Sequence, residues 1–187
     1  MKKLVLLVLV CAAVGFAVSY SGLAKTNANN GLRVLIIRHG EKPETGDHLS
    51  CQGQNRALLL PAVLFGKFNK PDHIYVPAMG VGKSNAHARM FETIVPFAVK
   101  YGLDINSEFQ VDGYAAIAER VLGKNGTVLM VWQHDAIPAL AANLGVANPP
   151  KWKDKDFDSI WIITFASGKA SLAIDHEALS PSRNCNF

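Results

Sequence analysis

Charged side chains are scarce in this chain, at 18% of its 187 residues, whereas hydrophobic side chains make up 49%. That balance excludes an intrinsically disordered protein and indicates one folded domain with a core of its own. The sequence has no stripe of lysine and arginine that would favour nucleic acid as a partner. It also lacks HExxH or any comparable spacing of metal ligands. We therefore expect no nucleic-acid partner, no metal and no cofactor.

The apolar excess is concentrated at the N-terminus. Two lysines precede an uncharged run over residues 4–20, and small residues follow it. This pattern predicts a signal peptide over residues 1–24, with an uncleaved membrane anchor as the alternative. A polar linker over residues 25–31 then leads into a single domain over residues 32–187. We expect an exported protein, periplasmic or extracellular, that touches a membrane only if the N-terminal segment is retained.

Only three cysteines occur, and Cys11 falls within the predicted signal peptide. Cys51 and Cys185 remain in the domain. An exported protein can join two such residues in a disulfide, which here would tie the C-terminal tail to the start of the first predicted helix. Two unpaired thiols are the alternative, and the sequence leaves both open.

Two continuous apolar runs, nearly a hundred residues apart, each end in a polar cluster. Residues 32–37 lead into Arg-His-Gly at 38–40, and residues 127–132 lead into Gln-His-Asp at 133–135. Short apolar runs of this kind are typical of buried parallel strands. The carboxyl ends of parallel strands share one edge of a sheet, where open α/β sheets bind ligands. We therefore expect the two clusters to meet there.

Helical patterns alternate with these strands. Ser50 is a candidate N-cap for a first helix, which Pro61 should kink or split. Further helices are predicted over 86–101, 113–122 and 137–144, and further strands over 74–76, 159–165 and 169–174. The alternation predicts an α/β fold with a mostly parallel sheet, covered by helices on both faces. The last two strands predict an antiparallel hairpin at one edge of the sheet near the C-terminus.

Side chains suited to holding a phosphoryl group fall at this sheet edge. Arg38 and His39 follow the first strand, His134 follows the later one, and Arg89 lies in the first turn of a predicted helix. Two guanidinium groups can each hold a pair of phosphate oxygens, and a helix N-terminus adds backbone donors. One neutral imidazole can attack phosphorus while the other donates a hydrogen bond to a transferring oxygen.

Four motifs occur in a fixed order: RHG at 38–40, LSCQGQNRA at 49–57, HARMFET at 87–93 and WQHDAIPAL at 132–140. With these motifs the chain resembles the histidine phosphatase superfamily, which includes the phosphoglycerate-mutase-like enzymes. The resemblance implies a three-layer α/β/α sandwich. It also implies hydrolysis of a small phosphate monoester or anhydride through a phosphohistidine intermediate. In that scheme His39 is the nucleophile, and Arg38, Arg89 and His134 bind the phosphate without a metal.

The resemblance also implies an acid that protonates the leaving group. Asp135 directly follows His134, like the His-Asp pair of the acid-phosphatase branch, whereas Glu41 directly follows the RHG motif. We favour Asp135 and keep Glu41 as the alternative. Lys42 lies where that branch has a further basic residue, so we expect it to touch the phosphate or its entrance. His87 replaces the serine that is usual in mutases, which favours hydrolysis over mutase activity.

Simpler interpretations compete at several of these positions. Arg89 could pair with Glu92 along its own helix. Arg56 is predicted to be an exposed helix residue. His87 either lines the pocket or caps the helix. For the whole protein, a catalytically silent phosphate-binding domain is the alternative to an enzyme, and a sugar phosphate of the cell envelope is the alternative to a small free substrate.

Overall fold

A six-stranded mixed β-sheet forms the centre of the protein. The structure is a computed structural model that describes residues 31–80, 87–185 and 187. Its elements in chain order are β1 Arg33–Arg38, α1 Cys51–Phe68, β2 His73–Tyr75, α2 Ala88–Tyr101, β3 Ile105–Asn106, α3 Tyr114–Leu122, β4 Thr127–Trp132, α4 Ile137–Asn143, β5 Ser159–Ala166 and β6 Lys169–His176. Across the sheet the strands lie in the order β3-β2-β4-β1-β5-β6.

The strand directions agree with the sequence-based prediction. β1 pairs in parallel with β4 and antiparallel with β5. β2 pairs in parallel with both β4 and β3. β5 and β6 form an antiparallel hairpin, and β6 is the edge strand. The mostly parallel sheet with a C-terminal antiparallel edge hairpin is therefore confirmed.

Helices cover both faces of the sheet because its inner strands are apolar on both sides. Val34 and Ile36 of β1 pack into a core with α3 and α4. Leu35 and Ile37 pack into a second core with α1 and α2. Successive residues of a strand point to opposite faces, so one continuous apolar run fills two cores. The result is the three-layer α/β/α sandwich that the resemblance implied.

Local signals place the helix ends close to their predicted positions. The backbone N–H of Gly53 donates to Ser50 Oγ at 3.2 Å, so Ser50 caps α1 as predicted. Gly102 ends α2 with a φ of 60°, a conformation that glycine adopts without strain. The predicted split at Pro61 is wrong, since α1 runs unbroken from Cys51 to Phe68. A proline removes one backbone hydrogen bond, and the buried apolar face on either side of it holds the helix together.

The strand register brings the two predicted polar clusters to the same edge of the sheet. β1 and β4 pair in step until Arg38 lies opposite Trp132, so the segments that follow both strands leave the sheet side by side. β5 runs the other way, with Ile160 opposite Ile37. The loop over residues 148–158 therefore reaches this edge as well.

The C-terminal tail lies along the start of α1. Cys51, the first residue of the helix, forms a disulfide with Cys185. The side-chain amide of Asn55 donates to the carbonyl oxygens of Ser182 at 2.9 Å and Asn184 at 2.7 Å. The alternative of two unpaired thiols is therefore wrong.

The predicted signal peptide over residues 1–24 lies outside the described residues, as does nearly all of the linker. Within the described ranges, no helix has both the length and the apolar character needed to cross a membrane.

Candidate active site

The segment that follows β1 is held from two sides. The backbone N–H of His39 donates to the carbonyl oxygen of Trp132 in β4 at 3.2 Å. The backbone N–H of Gly40 donates to Thr93 Oγ1 at 2.9 Å, and that hydroxyl donates in turn to the carbonyl oxygen of Arg89 at 2.6 Å. Thr93, which is fully buried, thus ties the first turn of α2 to the residues around His39.

Two glycines allow α1 to begin against this same segment. A Cβ atom added at Gly53 would lie 2.8 Å from the backbone nitrogen of Glu41, and one added at Gly40 would lie 2.9 Å from the carbonyl oxygen of Gly53. Both distances are shorter than a real side chain tolerates against backbone. The glycine in LSCQGQNRA therefore has a packing role, which is to let the N-terminus of α1 touch the RHG segment.

His39 is a buried, neutral imidazole. It is 3% exposed, and its Nδ1 lies 2.7 Å from the carbonyl oxygen of Gly40. A carbonyl can only accept, so Nδ1 carries the proton and Nε2 keeps its lone pair. Burial, together with the positive charges of Arg38, Arg89 and protonated His134, lowers the pKa of His39 from 6.5 to about 4 against the opposing Gly40 bond. Those effects require all three groups to lie near His39.

Arg38, the last residue of β1, is clamped by the loop that precedes β5. Its Nη1 donates to the carbonyl oxygens of Asp154 at 2.6 Å and Asp156 at 3.2 Å. Its guanidinium carbon lies 3.8 Å from the ring centroid of Phe157. Burial lowers the pKa of Arg38 to about 10, so the group stays charged at neutral pH. The loop over residues 148–158 thus orients one of the two candidate phosphate-binding arginines.

Arg89 lies at the start of α2, as predicted. Its Nη1 donates to the carbonyl oxygen of Gly46 at 3.3 Å and lies 3.7 Å from Asp47 Oδ1. The alternative pairing with Glu92 is wrong, because the Glu92 carboxylate bonds instead to His48 Nδ1 at 2.6 Å and to a backbone N–H at 2.8 Å. Arg89 is therefore held by the loop after β1 rather than by its own helix.

His134 lies two residues beyond β4, next to the loop over residues 148–158. Its Nε2 is 3.6 Å from Asp154 Oδ1. Burial lowers the pKa of His134, and the charges of Arg38 and Lys42 add to that effect against those of Asp135 and Asp154. His134 is therefore neutral at pH 7, and Lys42, although exposed, lies within electrostatic reach of it.

Four buried polar nitrogens at this edge have no hydrogen-bond partner among the described residues. They are Nε of Arg38 and Arg89 and Nδ1 of His87 and His134. His87 stands at the N-cap position of α2, yet its side chain makes no capping bond, so the helix-cap alternative is not supported. Buried polar groups are normally satisfied, so these four unpaired nitrogens are unusual.

The two candidate proton donors differ in their surroundings. Both oxygens of Glu41 accept from Arg56, Oε2 from Nε at 3.0 Å and Oε1 from Nη2 at 2.8 Å. Asp135 is exposed and, among the residues that the structure describes, accepts only from the side-chain amide of Gln133 at 3.1 Å. Its charge raises the pKa of Arg38, so it lies close to one of the candidate phosphate-binding residues. Of the two candidates, Asp135 thus has the carboxylate that is less occupied by hydrogen bonds to other side chains.

The prediction that Arg56 is exposed is wrong. Arg56 is 5% exposed, because its guanidinium bridges Glu41 and Glu177, with Nη1 donating to Glu177 Oε2 at 2.5 Å. Burial raises the pKa of Glu177 to about 8. We call Glu41, Arg56 and Glu177 the buried triad. The sequence analysis also gave no role to Glu177 or Thr93. Arg56 and Thr93 both lie within the quoted motifs, which is the signal that could have found them.

Within the described residues, no group of histidine, cysteine and acidic side chains could hold a metal ion. No protein-family model matches the chain, and no curated protein does. Solved structures do match. They show that this chain shares its fold with two phosphatases and a phosphoglycerate mutase.

Three of those structures span most of the chain. The protein histidine phosphatase SixA, solved with tungstate, is 18% identical, with 78% of this chain and 97% of that chain covered at a TM-score of 0.54. A phosphoserine phosphatase variant from Entamoeba histolytica, solved with phosphoserine, is 14% identical, with 79% and 97% covered at 0.53. A phosphoglycerate mutase from Plasmodium falciparum is 13% identical, with 76% and 88% covered at 0.51.

Proposed function

We propose that the protein is a phosphatase that hydrolyses a small phosphate monoester or anhydride through a phosphohistidine intermediate. The observation that carries the proposal is His39, a buried neutral imidazole with Nδ1 bound to Gly40 and with Arg38, Arg89 and His134 close by. A neutral imidazole is a nucleophile, and guanidinium groups bind phosphate oxygens. Phosphatases of histidine and serine phosphate share the fold, which supports this activity.

The proposed reaction has two steps. Nε2 of His39 attacks phosphorus, and the new P–N bond forms as the P–O bond to the leaving group breaks. Arg38, Arg89 and His134 stabilise the charge on the transferring oxygens, and Asp135 gives its proton to the departing oxygen. Asp135 then takes a proton from a water molecule whose oxygen attacks phosphorus. The P–N bond breaks, phosphate leaves, and Nε2 regains its lone pair.

Trapping the intermediate tests the function. Brief reaction with a ³²P-labelled aryl phosphate, followed by an alkaline quench that preserves phosphohistidine, should label the protein on the peptide that contains His39. A catalytically silent phosphate-binding domain would instead bind phosphate reversibly and carry no label. Substrate turnover without label at His39 would contradict the proposed mechanism.

The assignment of Asp135 as proton donor has its own test. Asp135→Asn should slow hydrolysis of an alkyl phosphate roughly 10²-fold or more, and hydrolysis of p-nitrophenyl phosphate far less, because only the poor leaving group needs a proton. Glu41→Gln is the matched control and should affect both substrates alike, since Arg56 holds both carboxylate oxygens of Glu41. The assignment is wrong if Asp135→Asn slows the two substrates equally, or if Glu41→Gln shows the dependence on leaving group.

The proposal extends to the setting of the enzyme. Export directed by residues 1–24, a periplasmic or extracellular location and a small phosphorylated substrate stay predictions. Expression of the full chain, followed by cell fractionation and N-terminal sequencing of the product, tests the export and the location.

A further inference from the structure

A cavity adjoins the site around His39. Its volume is about 770 Å³. The segment over residues 41–44, which follows the RHG motif, lines one side, and the N-terminus of α1 lines another. Phe157 and Arg183 complete the walls. The cavity thus combines residues from the loop after β1, the loop before β5 and the C-terminal tail.

Phe157 lines this cavity and also lies next to the proposed reacting groups. Its ring centroid lies 6.2 Å from that of His39 and 3.8 Å from the guanidinium carbon of Arg38. Lys42 also lies between the cavity and the reacting groups in its effect, since it lines the cavity and its charge lowers the pKa of His134. A phosphate ester bound at His39 therefore has this cavity beside it to receive the rest of the molecule.

Cations dominate the free charge of the cavity. Lys42 and Arg183 line it, and neither lies within ion-pair distance of a carboxylate among the described residues. The Glu41 charge is already compensated by Arg56, which leaves Glu44 as the opposing charge. Two cations without an ion-pair partner therefore face one free carboxylate, together with apolar surface from Leu49, Pro43 and Phe157.

The C-terminal tail is fastened on both sides of Arg183. Asn55 of α1 donates to the carbonyl oxygens of Ser182 and Asn184, and the disulfide to Cys51 follows at Cys185. An exposed arginine near a chain end would otherwise be free to move away. The tail here is held in place by covalent and hydrogen bonds, with Arg183 at the cavity.

We propose that this cavity is a subsite for a second anionic group on the leaving-group side of the substrate, bound by Arg183 and Lys42. The inference rests on the proposed phosphatase function and narrows its substrate class. The substrate is a phosphate ester whose organic part carries a carboxylate or a second phosphate. The apolar walls hold the carbon atoms between the two anionic groups.

Matched aryl phosphates test the subsite. The enzyme should hydrolyse 4-carboxyphenyl phosphate with a kcat/KM about fivefold above that of 4-carbamoylphenyl phosphate, whose second group is uncharged. A difference of this size is expected of an exposed ion pair. That preference should shrink as salt screens the charges. A third arm, 1,4-phenylene bisphosphate against phenyl phosphate, tells whether phosphate or carboxylate is the better second group.

Two variants test whether the carboxylate preference depends on the C-terminal tail rather than on the overall charge of the protein. Arg183→Ala and Cys185→Ser should each remove most of the carboxylate preference, the second by releasing the tail from α1. Lys169→Ala, which removes an equal charge at the opposite end of the sheet, should keep the preference. Equal rates on the charged and neutral esters, or a preference that survives Arg183→Ala, would overturn the subsite alone. Failure to hydrolyse any of these esters would contradict the phosphatase function itself.

Discussion

Replacing His39 with alanine should lower the turnover of p-nitrophenyl phosphate by a factor of roughly 10⁴ or more, the scale of losing a covalent nucleophile. Alanine removes the only protein atom proposed to form a bond to phosphorus. Arg38, Arg89 and His134 remain, so the phosphate pocket should still bind anions. Steady-state assays of the purified variant, together with calorimetric titration of inorganic phosphate or vanadate, measure the two effects separately.

A second histidine provides the control for that variant. His73 lies at the start of β2, where it pairs with Val128 at the opposite end of the sheet from Trp132. His73→Gln should therefore keep wild-type turnover. A His39→Ala protein that still hydrolyses p-nitrophenyl phosphate at a substantial rate, and whose melting temperature is unchanged, would rule out His39 as the nucleophile.

The central strands could be predicted from sequence because they are buried on both faces. The apolar runs over residues 32–37 and 127–132 match β1 and β4 to within one residue, and the polar residues after them do meet at one edge. β3, in contrast, was missed. It has only two residues, both half-buried, at the edge of the sheet. So short a strand carries no periodic signal, and its pairing with β2 defines it.

The wrong prediction for Arg56 and the undecided pairing of the two cysteines have a shared physical cause. A charged residue on a helix is normally solvated, and nothing near Arg56 in the sequence shows that it is buried. Its partners Glu41 and Glu177 lie 15 and 121 positions away. Likewise, the 134 positions between Cys51 and Cys185 hide their contact. Long-range pairs of this kind become visible only once the fold brings the two segments together.

The buried triad has the largest expected effect on stability. Arg56→Met should lower the free energy of unfolding by about 3 kcal/mol or more, because breaking a buried ion pair leaves an uncompensated charge. Glu41, directly after the RHG motif, would lose its only described ionic partner. Arg120→Met is the matched control, since Arg120 pairs with Glu108 at the surface and should cost less than about 1 kcal/mol. Urea unfolding of both variants measures the difference.

Glu177 gives the triad a pH dependence. Burial raises the pKa of Glu177 to about 8, above its ordinary value of 4.5. Between those two values the folded protein holds a proton that the unfolded chain releases, so this group's stabilising contribution is complete below pH 4.5 and is lost as the pH rises towards 8. Arg56 opposes the rise through its charge and its hydrogen bond to Glu177, but the burial of the carboxyl outweighs both.

Glu177→Gln should therefore remove the part of the pH dependence of the free energy of unfolding that Glu177 causes in the wild-type protein. The glutamine cannot ionise, so the variant should lose less stability than the wild type between pH 5 and pH 8, both measured by urea unfolding at constant salt. Asp175→Asn is the control, because that carboxylate is exposed at the hairpin and pairs with Lys67. An identical fall in stability in wild type and Glu177→Gln would show that Glu177 is ionised in the folded state. The triad would then hold two buried negative charges around one guanidinium.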